Sequence, residues 1–333
     1  MEPVDFESLF KKFTSIKIGV VGDVMLDTYW WGHVERISPE APVPVVSLDR
    51  REYRIGGAGN VALNLSSLEA SVTVFSVIGN DDDGEILKSL LDQSFVNTDS
   101  LLTSDTRITT NKIRIIGRSQ QMMRLDSETI KDLSADDEHR IIQAVSNYLE
   151  QEKPAILIFE DYNKGVLTER VIDELIGLCR KHNVLTAVDP KTRNFFSYKG
   201  VDIFKPNLKE VREGLNLPVQ QPNLDALRDI HSRLSNLLHH SISFITLSEK
   251  GIFCQLESQA MILPSHLRSV ADVSGAGDTV IAVAALVYAV TKDIKLMAEM
   301  ANIAGGLVCE EVGTVAIDRG RLLEECKLLL NRN

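Results

Sequence analysis

Asp272-Val-Ser-Gly-Ala-Gly-Asp-Thr-Val280, followed by the apolar run Ile281–Val290, decides how this chain is read. A glycine-rich turn leads into a helix with an aspartate in its first turn. The N–H groups at such an end lack helical partners and the helix dipole is positive there, so the spot favours an anion. A carboxylate beside a phosphate site is repelled by the ligand unless it has a task. The natural task is to take a proton from a hydroxyl that attacks a phosphoryl group, which makes Asp278 a candidate general base. The plainer alternative is a glycine turn with an acidic helix start. This segment alone leaves both open.

Working outward, Ile16–Val21 is an apolar run of strand length that ends in Gly22-Asp23. Further strands are predicted at Val72–Ile78, Ala155–Phe159, Val184–Val188, Ile203–Phe204, Ser243–Leu247 and Ile252–Leu256, the last turning back across Lys250-Gly251. Helical spacing falls at Val61–Leu68, Asp83–Leu91, Ser134–Leu149, Thr168–His182, Leu208–Leu215, Leu224–Leu238, Gly277–Val290 and Ile294–Glu311. The alternation predicts the α/β class, with a doubly wound, mostly parallel sheet flanked by helices. Ligands then bind beyond the carboxyl ends of the strands. Tyr29–Asp49 carries three prolines and short β-prone pieces, which suit edge strands or loops. With the alternating Thr106–Ile116 and Gln121–Leu125 it predicts a small β lid, about 29–49 and 106–125, on a single domain spanning 1–333.

Composition narrows the chemistry. The 333 residues are 44% hydrophobic and 25% charged, an ordinary globular balance. No run reaches the ~20 apolar residues needed to span a bilayer, and the acidic N-terminus is not a signal peptide. The four cysteines are widely spaced with no CxxC pair and read as reduced thiols of a cytoplasmic protein. A formal net charge of −11 argues against nucleic acid or an anionic membrane as partner. An anionic substrate must therefore be held by a local cluster of Lys and Arg.

Gly57-Ala-Gly-Asn-Val-Ala62 fits the weak dinucleotide pattern, but Asp49–Arg54 before it is too polar for the strand that pattern requires. A glycine turn letting backbone approach a hydroxylated ligand, with Asn60 as donor and acceptor, is the better reading, beside a structural helix start. No GxxxxGK[ST] is present, so phosphates must be held otherwise, by Gly275–Gly277 and Lys191. Asn207-Leu-Lys-Glu210 reads either as a helix cap or as a carboxylate that organises Mg²⁺ waters. Arg107, Lys112, Arg114, Arg118, Arg124, Lys164 and Arg193 are candidates for a substrate phosphate, against the default of a solvated face.

Together these segments resemble the ribokinase-like (PfkB) carbohydrate kinases over nearly the whole chain. The resemblance is most specific at Gly275–Asp278. It narrows, through Val21–Asp27, Arg36–Val45, Gln120–Asp126 and Asp161–Gly165, to the members that phosphorylate the anomeric C1 hydroxyl of a heptose 7-phosphate. The family implies ATP and Mg²⁺ as cofactors, with a monovalent cation a further candidate. It gives Asp278 the base role and Gly275, Ala276 and Gly277 the anion hole. It puts Asn207 and Glu210 near the ATP phosphates and Mg²⁺, where Lys191, just past a strand end, is a further candidate, and Ser248, Glu249, Gly251 and Asn302 around the nucleotide. It puts Asp23, Asp27, Gly56, Gly57 and Asn60 on sugar hydroxyls, and Lys112, Arg114, Arg124, Asp161 and Lys164 at the phosphate-bearing end. It also implies a homodimer through the lid. Kinases of this type are often fused to a nucleotidyltransferase; the expectation here is kinase activity alone. The rival readings are another sugar kinase, fructokinase-like or 1-phosphofructokinase-like, and a catalytically silent sugar-binding module.

Overall fold

The structure, a computed structural model, describes residues 4–117, 120–217, 223–266 and 268–331. Arg118 lies outside them. The N-terminal half runs α1 (Phe6–Phe13), β1 (Lys17–Gly22), β2 (Val24–Ile37), β3 (Pro44–Gly57), α2 (Ala58–Ser67), β4 (Ser71–Gly79), α3 (Asp82–Gln93), β5 (Leu101–Ser104), β6 (Asn111–Gly117), β7 (Gln120–Ser127) and α4 (Ala135–Glu152). There follow β8 (Ile156–Glu160), α5 (Glu169–His182), β9 (Leu185–Asp189), β10 (Ile203–Phe204), α6 (Leu208–Leu215), α7 (Leu224–Leu238), β11 (Ile242–Thr246), β12 (Ile252–Leu256) and β13 (Gln259–Leu263). Three helices close the chain: α8 (Ala276–Thr291), α9 (Ile294–Val308) and α10 (Arg319–Leu330).

Among the described residues the large sheet has the order β13-β12-β11-β10-β9-β8-β1-β4-β5. It is parallel from β11 to β5, with β12 and β13 antiparallel at one edge. Successive side chains point to opposite faces of a strand, so the central strands are apolar on both. Ile18, Val20, Ile156 and Ile158 enter one core beneath α1, α2, α8 and α9. Val21, Leu157 and Phe159 enter the other, against α4, α5 and α7. Helix α8 has no polar side because Ile281–Val287 are all fully buried. Ser134, Thr168, Asn207 and Asn223 each cap a helix by accepting the amide N–H three residues on, which fixes where α4 to α7 begin.

The small sheet has the order β3-β2-β6-β7. It is larger than the sequence predicted: β2 starts at Val24 and β3 runs to Gly57. The inner ends of these strands are buried on both faces, which hides the period-two pattern. Pro39 and Pro42 lie in the connection, and Pro44 opens β3. Residues 106–110, expected to be strand, are not; the Thr109 amide turns to the Asp81 carboxylate at 2.8 Å. A polar strand does precede Gly57–Ala62, but it pairs antiparallel with β2 and builds no βαβ unit. The order of strands reverses between β1 and β8, which puts a crevice at their carboxyl ends.

Candidate active site

Asp278 sits at the start of α8 and is 4% exposed. Gly275 precedes the helix with φ 77°, a conformation that suits glycine, and a Cβ there would come within 2.7 Å of Asn60 Nδ2. That close approach brings α2 to α8. Asn60 Nδ2 donates to Asp278 Oδ2 at 2.8 Å, and the Tyr162 hydroxyl donates to Oδ1 at 2.8 Å. Burial pushes the Asp278 carboxyl up to about 6, against the pull of these two donors. Asn60 is itself held by Asn64, whose Nδ2 donates to Asn60 Oδ1 at 3.2 Å.

The ends of β8 and β9 add two carboxylates. Oxygens of Glu160, Asp189 and Asp278 lie within 4.8 Å of one another, and all three residues are buried. Lys205 Nζ meets Asp189 Oδ2 at 2.7 Å, and Lys191 Nζ lies 3.5 Å from Oδ1. Burial opposes the Asp189 charge, but the two ammonium groups outweigh it and hold the carboxyl low. Glu160 has no such partner: it is fully buried with neither oxygen hydrogen-bonded, and burial, then Asp189 and Asp278, drive it well above the carboxylate range. A Cβ on Gly277 would stand 3.6 Å from Asp189 Oδ2 and 3.9 Å from Lys205 Nζ. Lys205 therefore lies beside the anion-favouring end of α8, and Lys191, on the same Asp189 carboxylate, also acts on Asp278.

At the crevice Asp23 is 1% exposed and accepts the amides of Tyr162 (2.9 Å), Lys164 (3.0 Å) and Val166 (3.0 Å). Asp23, expected on a sugar hydroxyl, thereby anchors the loop after β8. Asp161 also faces inward, accepting Tyr198 Oη at 2.7 Å and the Asn163 amide at 2.8 Å. Arg107 is spent on backbone carbonyls of Thr129, Lys131 and Lys164. Arg193 pairs with Asp132. Each satisfies local groups instead of converging on a ligand.

The small sheet brings the remaining candidates over the crevice. Lys112 Nζ lies 5.3 Å and Lys191 Nζ 5.2 Å from the Tyr162 ring centroid. Lys112 is half-buried, and burial lowers its pKa. Lys164 pairs with Glu128 at 2.7 Å, and Arg124 pairs with Asp126 on an exposed strand. Arg114 is salt-bridged to Asp27 at 2.6 Å, and Thr314 Oγ1 donates to Asp27 Oδ2 at 3.0 Å. Gly56 lies against that carboxylate, and Gly57 precedes α2.

On the other flank Asn207 and Glu210 form a reciprocal capping box. Glu210 Oε1 also accepts Lys191 Nζ at 3.1 Å, so an ion would reach this carboxylate through water. Asn207 bridges to Thr246, whose strand leads into Ser248–Lys250. Gly251 packs on the 263–265 backbone, Ser265 Oγ donates to the Glu249 carbonyl, and Asn302 Nδ2 donates to the Pro264 carbonyl at 2.7 Å. Ser248, Glu249, Gly251 and Asn302 therefore share one neighbourhood. The residues suit the implied groups: the lysines and the start of α8 suit phosphates, with the Ala276 amide donating to the Val273 carbonyl at 3.3 Å, and the orphaned oxygens of Glu160 beside Asp189 suit a hard divalent cation.

Tyr162, Glu160, Asp189, Lys205 and Arg54 were not singled out as site residues from the sequence. Glu160 and Asp189 were legible as acidic residues at predicted strand ends, and Tyr162 lies within the Asp161–Gly165 motif. Lys205, inside an apolar stretch, carried a signal that was missed.

The chain belongs to the pfkB family of carbohydrate kinases, whose model matches residues 15–319. It is thus an ATP-dependent carbohydrate kinase. Among curated relatives it is 38% identical over 307 residues to the "Bifunctional protein HldE" of Aliarcobacter butzleri, covering 92% of this chain and 63% of that protein. It is 36% identical over 324 residues to the protein of the same name from Geobacter sulfurreducens, covering 97% and 65%. The chain thus spans a little under two thirds of these relatives. The fold matches phosphofructokinase-2 from Escherichia coli in complex with potassium, with TM-score 0.80 and 20% identity over 95% of this chain and 100% of that one. It also matches Arabidopsis thaliana ribokinase complexed with ribose and ATP, with TM-score 0.73 and 17% identity over 93% and 99%. Among the described residues no helix is long and apolar enough to cross a membrane.

Proposed function

We propose that this chain transfers the γ-phosphoryl group of ATP to the anomeric C1 hydroxyl of D-glycero-β-D-manno-heptose 7-phosphate, giving the 1,7-bisphosphate in the cytoplasmic route to ADP-heptose and lipopolysaccharide core. The observation that carries the phosphoryl-transfer chemistry is Asp278 at the mouth of α8, with a carboxyl raised to about 6, Lys205 beside the same helix end and Lys191 acting on that carboxyl. The likeness to the HldE proteins supports the heptose.

The sugar hydroxyl takes the place of the Tyr162 hydroxyl at Asp278 Oδ1 and passes its proton there. Amides of Gly275 and Gly277, and that of Ala276 once it leaves the Val273 carbonyl, stabilise charge on the phosphoryl oxygens together with Lys191 and Lys205. Asp189 and Glu160, with Glu210 through water, would hold Mg²⁺, which when bound neutralises phosphate charge. Lys112, which lies over the Tyr162 ring, and Lys164 and Arg124 are the basic groups we assign to the 7-phosphate. The small sheet acts as a lid that excludes water. Its exposed Ile37, Leu48, Met123 and Leu125 favour a homodimer through that lid.

Incubating the protein with ATP·Mg²⁺ and a panel of sugars and sugar phosphates, in potassium and in choline buffers, tests this. Phosphorus and proton NMR should show a new anomeric phosphate on heptose 7-phosphate with the highest kcat/KM of the panel. A higher value with fructose or a fructose phosphate would replace the heptose assignment. Sugar binding without ATP turnover would leave only a binding module.

A further inference from the structure

The sequence reading left Arg54 unassigned, yet the fold gives it an unusual position. It sits on β3 of the small sheet, and its Nη1 donates to the Val312 carbonyl at 2.6 Å and the Thr314 carbonyl at 3.3 Å. Segment 312–314 lies between α9 and α10, more than 250 residues further along the chain. Gly313 has φ 75°, and a Cβ there would stand 2.6 Å from Arg54 Nη1 and 2.8 Å from Tyr29 Oη, so only glycine admits the guanidinium. The guanidinium carbon also lies 5.0 Å from the Tyr29 ring centroid, and Nε donates to Glu52 at 2.6 Å.

The same segment grips the anion turn. The Gly313 amide donates to Asp272 Oδ2 at 2.9 Å, while Asp272 Oδ1 accepts the Ser274 amide at 3.0 Å. Thr314 packs on Gly275, where an added Cβ would lie 3.1 Å from its methyl carbon. A continuous set of contacts therefore joins a cation on the small sheet to the glycine turn at the start of α8.

We propose that Arg54 is a positioning residue: its guanidinium acts as a tethered cation that holds segment 312–314 in place, and through Asp272 and Gly275 sets the geometry of the anion turn according to where the small sheet lies. Docking of the sheet thereby assembles the phosphoryl site. The turnover arm of the test rests on the kinase reading above; the exchange arm does not.

Two measurements on Arg54→Ala and Arg54→Lys test it. Amide hydrogen exchange should rise about tenfold at 272–276 in Arg54→Ala and stay unchanged in α5, which lies on the other face of the sheet. Turnover should fall about 100-fold in kcat with a small change in KM for ATP, since the defect is misplacement rather than lost ligand contact. Guanidinium added to Arg54→Ala should restore part of kcat and of the protection, and Arg54→Lys should lie between. Unchanged exchange at 272–276 in a folded Arg54→Ala protein overturns the coupling. So does a loss of kcat that guanidinium leaves untouched. If the unsubstituted protein turns over no sugar, the kinase reading fails and the exchange arm still decides the role of Arg54. Should Arg54→Ala not fold, Arg54→Lys carries the same exchange comparison.

Discussion

The Tyr162 hydroxyl donates to Asp278 Oδ1 at 2.8 Å, so the candidate base is held by a neutral donor at the oxygen an incoming alcohol would approach. Tyr162 comes from the loop after β8, which Asp23 pins through three amides. The site is thus built from the crevice inward.

With the Asp278 carboxyl at about 6, the base is ionised above that pH and protonated below it. The kcat/KM profile should lose activity as pH falls, with a midpoint near 6. Tyr162→Phe removes a donor to the charged form and should move that limb upward by about one pH unit, because a hydrogen bond to a charged group contributes roughly 1.5–3 kcal/mol and one unit is about 1.4 kcal/mol. An unmoved limb would separate Tyr162 from the base.

Asp278→Asn keeps the shape and removes the basicity. Turnover should fall by about 10²–10⁴-fold while calorimetry still shows sugar and ATP binding. Near-native turnover would end the assignment.

Glu160 tests the buried carboxylate cluster. Its folded pKa lies well above its ordinary value, so the folded protein binds the extra proton and stability declines as pH rises past about 4.5. Glu160→Gln removes that penalty. Its melting temperature in chelator should exceed the parent's at pH 7 and match it near pH 4.5. A lower value at pH 7 would mean Glu160 is an ionised, paired group.

His240 gives acid sensitivity far from the site in sequence. His240 Nε2 and His231 Nδ1 both meet Ser243 Oγ, at 2.6 and 2.8 Å, in a buried cluster. Burial, then His231, pushes His240 down to about 3. The unfolded histidine titrates near 6.5, so stability is full above about 6.5 and is lost as pH falls toward 3. Urea midpoints should drop between pH 7 and pH 5 by the equivalent of about 2 kcal/mol, and His240→Gln should flatten the drop.

The elements most legible in the sequence were those with local causes. Leu208–Leu215 and Leu224–Leu238 were bounded correctly because Asn207 and Asn223 cap them. The missed α1 carried a legible signal, with Phe6, Leu9, Phe10 and Phe13 at helical spacing; α10 buries Leu322, Leu323 and Cys326. Strand β13 is an edge that pairs only with β12, and β5 pairs only with β4, so neither shows a two-sided apolar run.

The glycine turn and its aspartate, the βα alternation and the strand-end polar residues could be read from the chain because each is a local pattern of backbone need and side-chain spacing. Which carboxylates meet could not. Asp23 and Asp161 turned to amides and hydroxyls while Glu160 and Asp189 closed on Asp278, and Arg54 crossed to carbonyls far down the chain. Partners so distant in sequence are chosen by the packing of strands and helices, which no short window of residues contains.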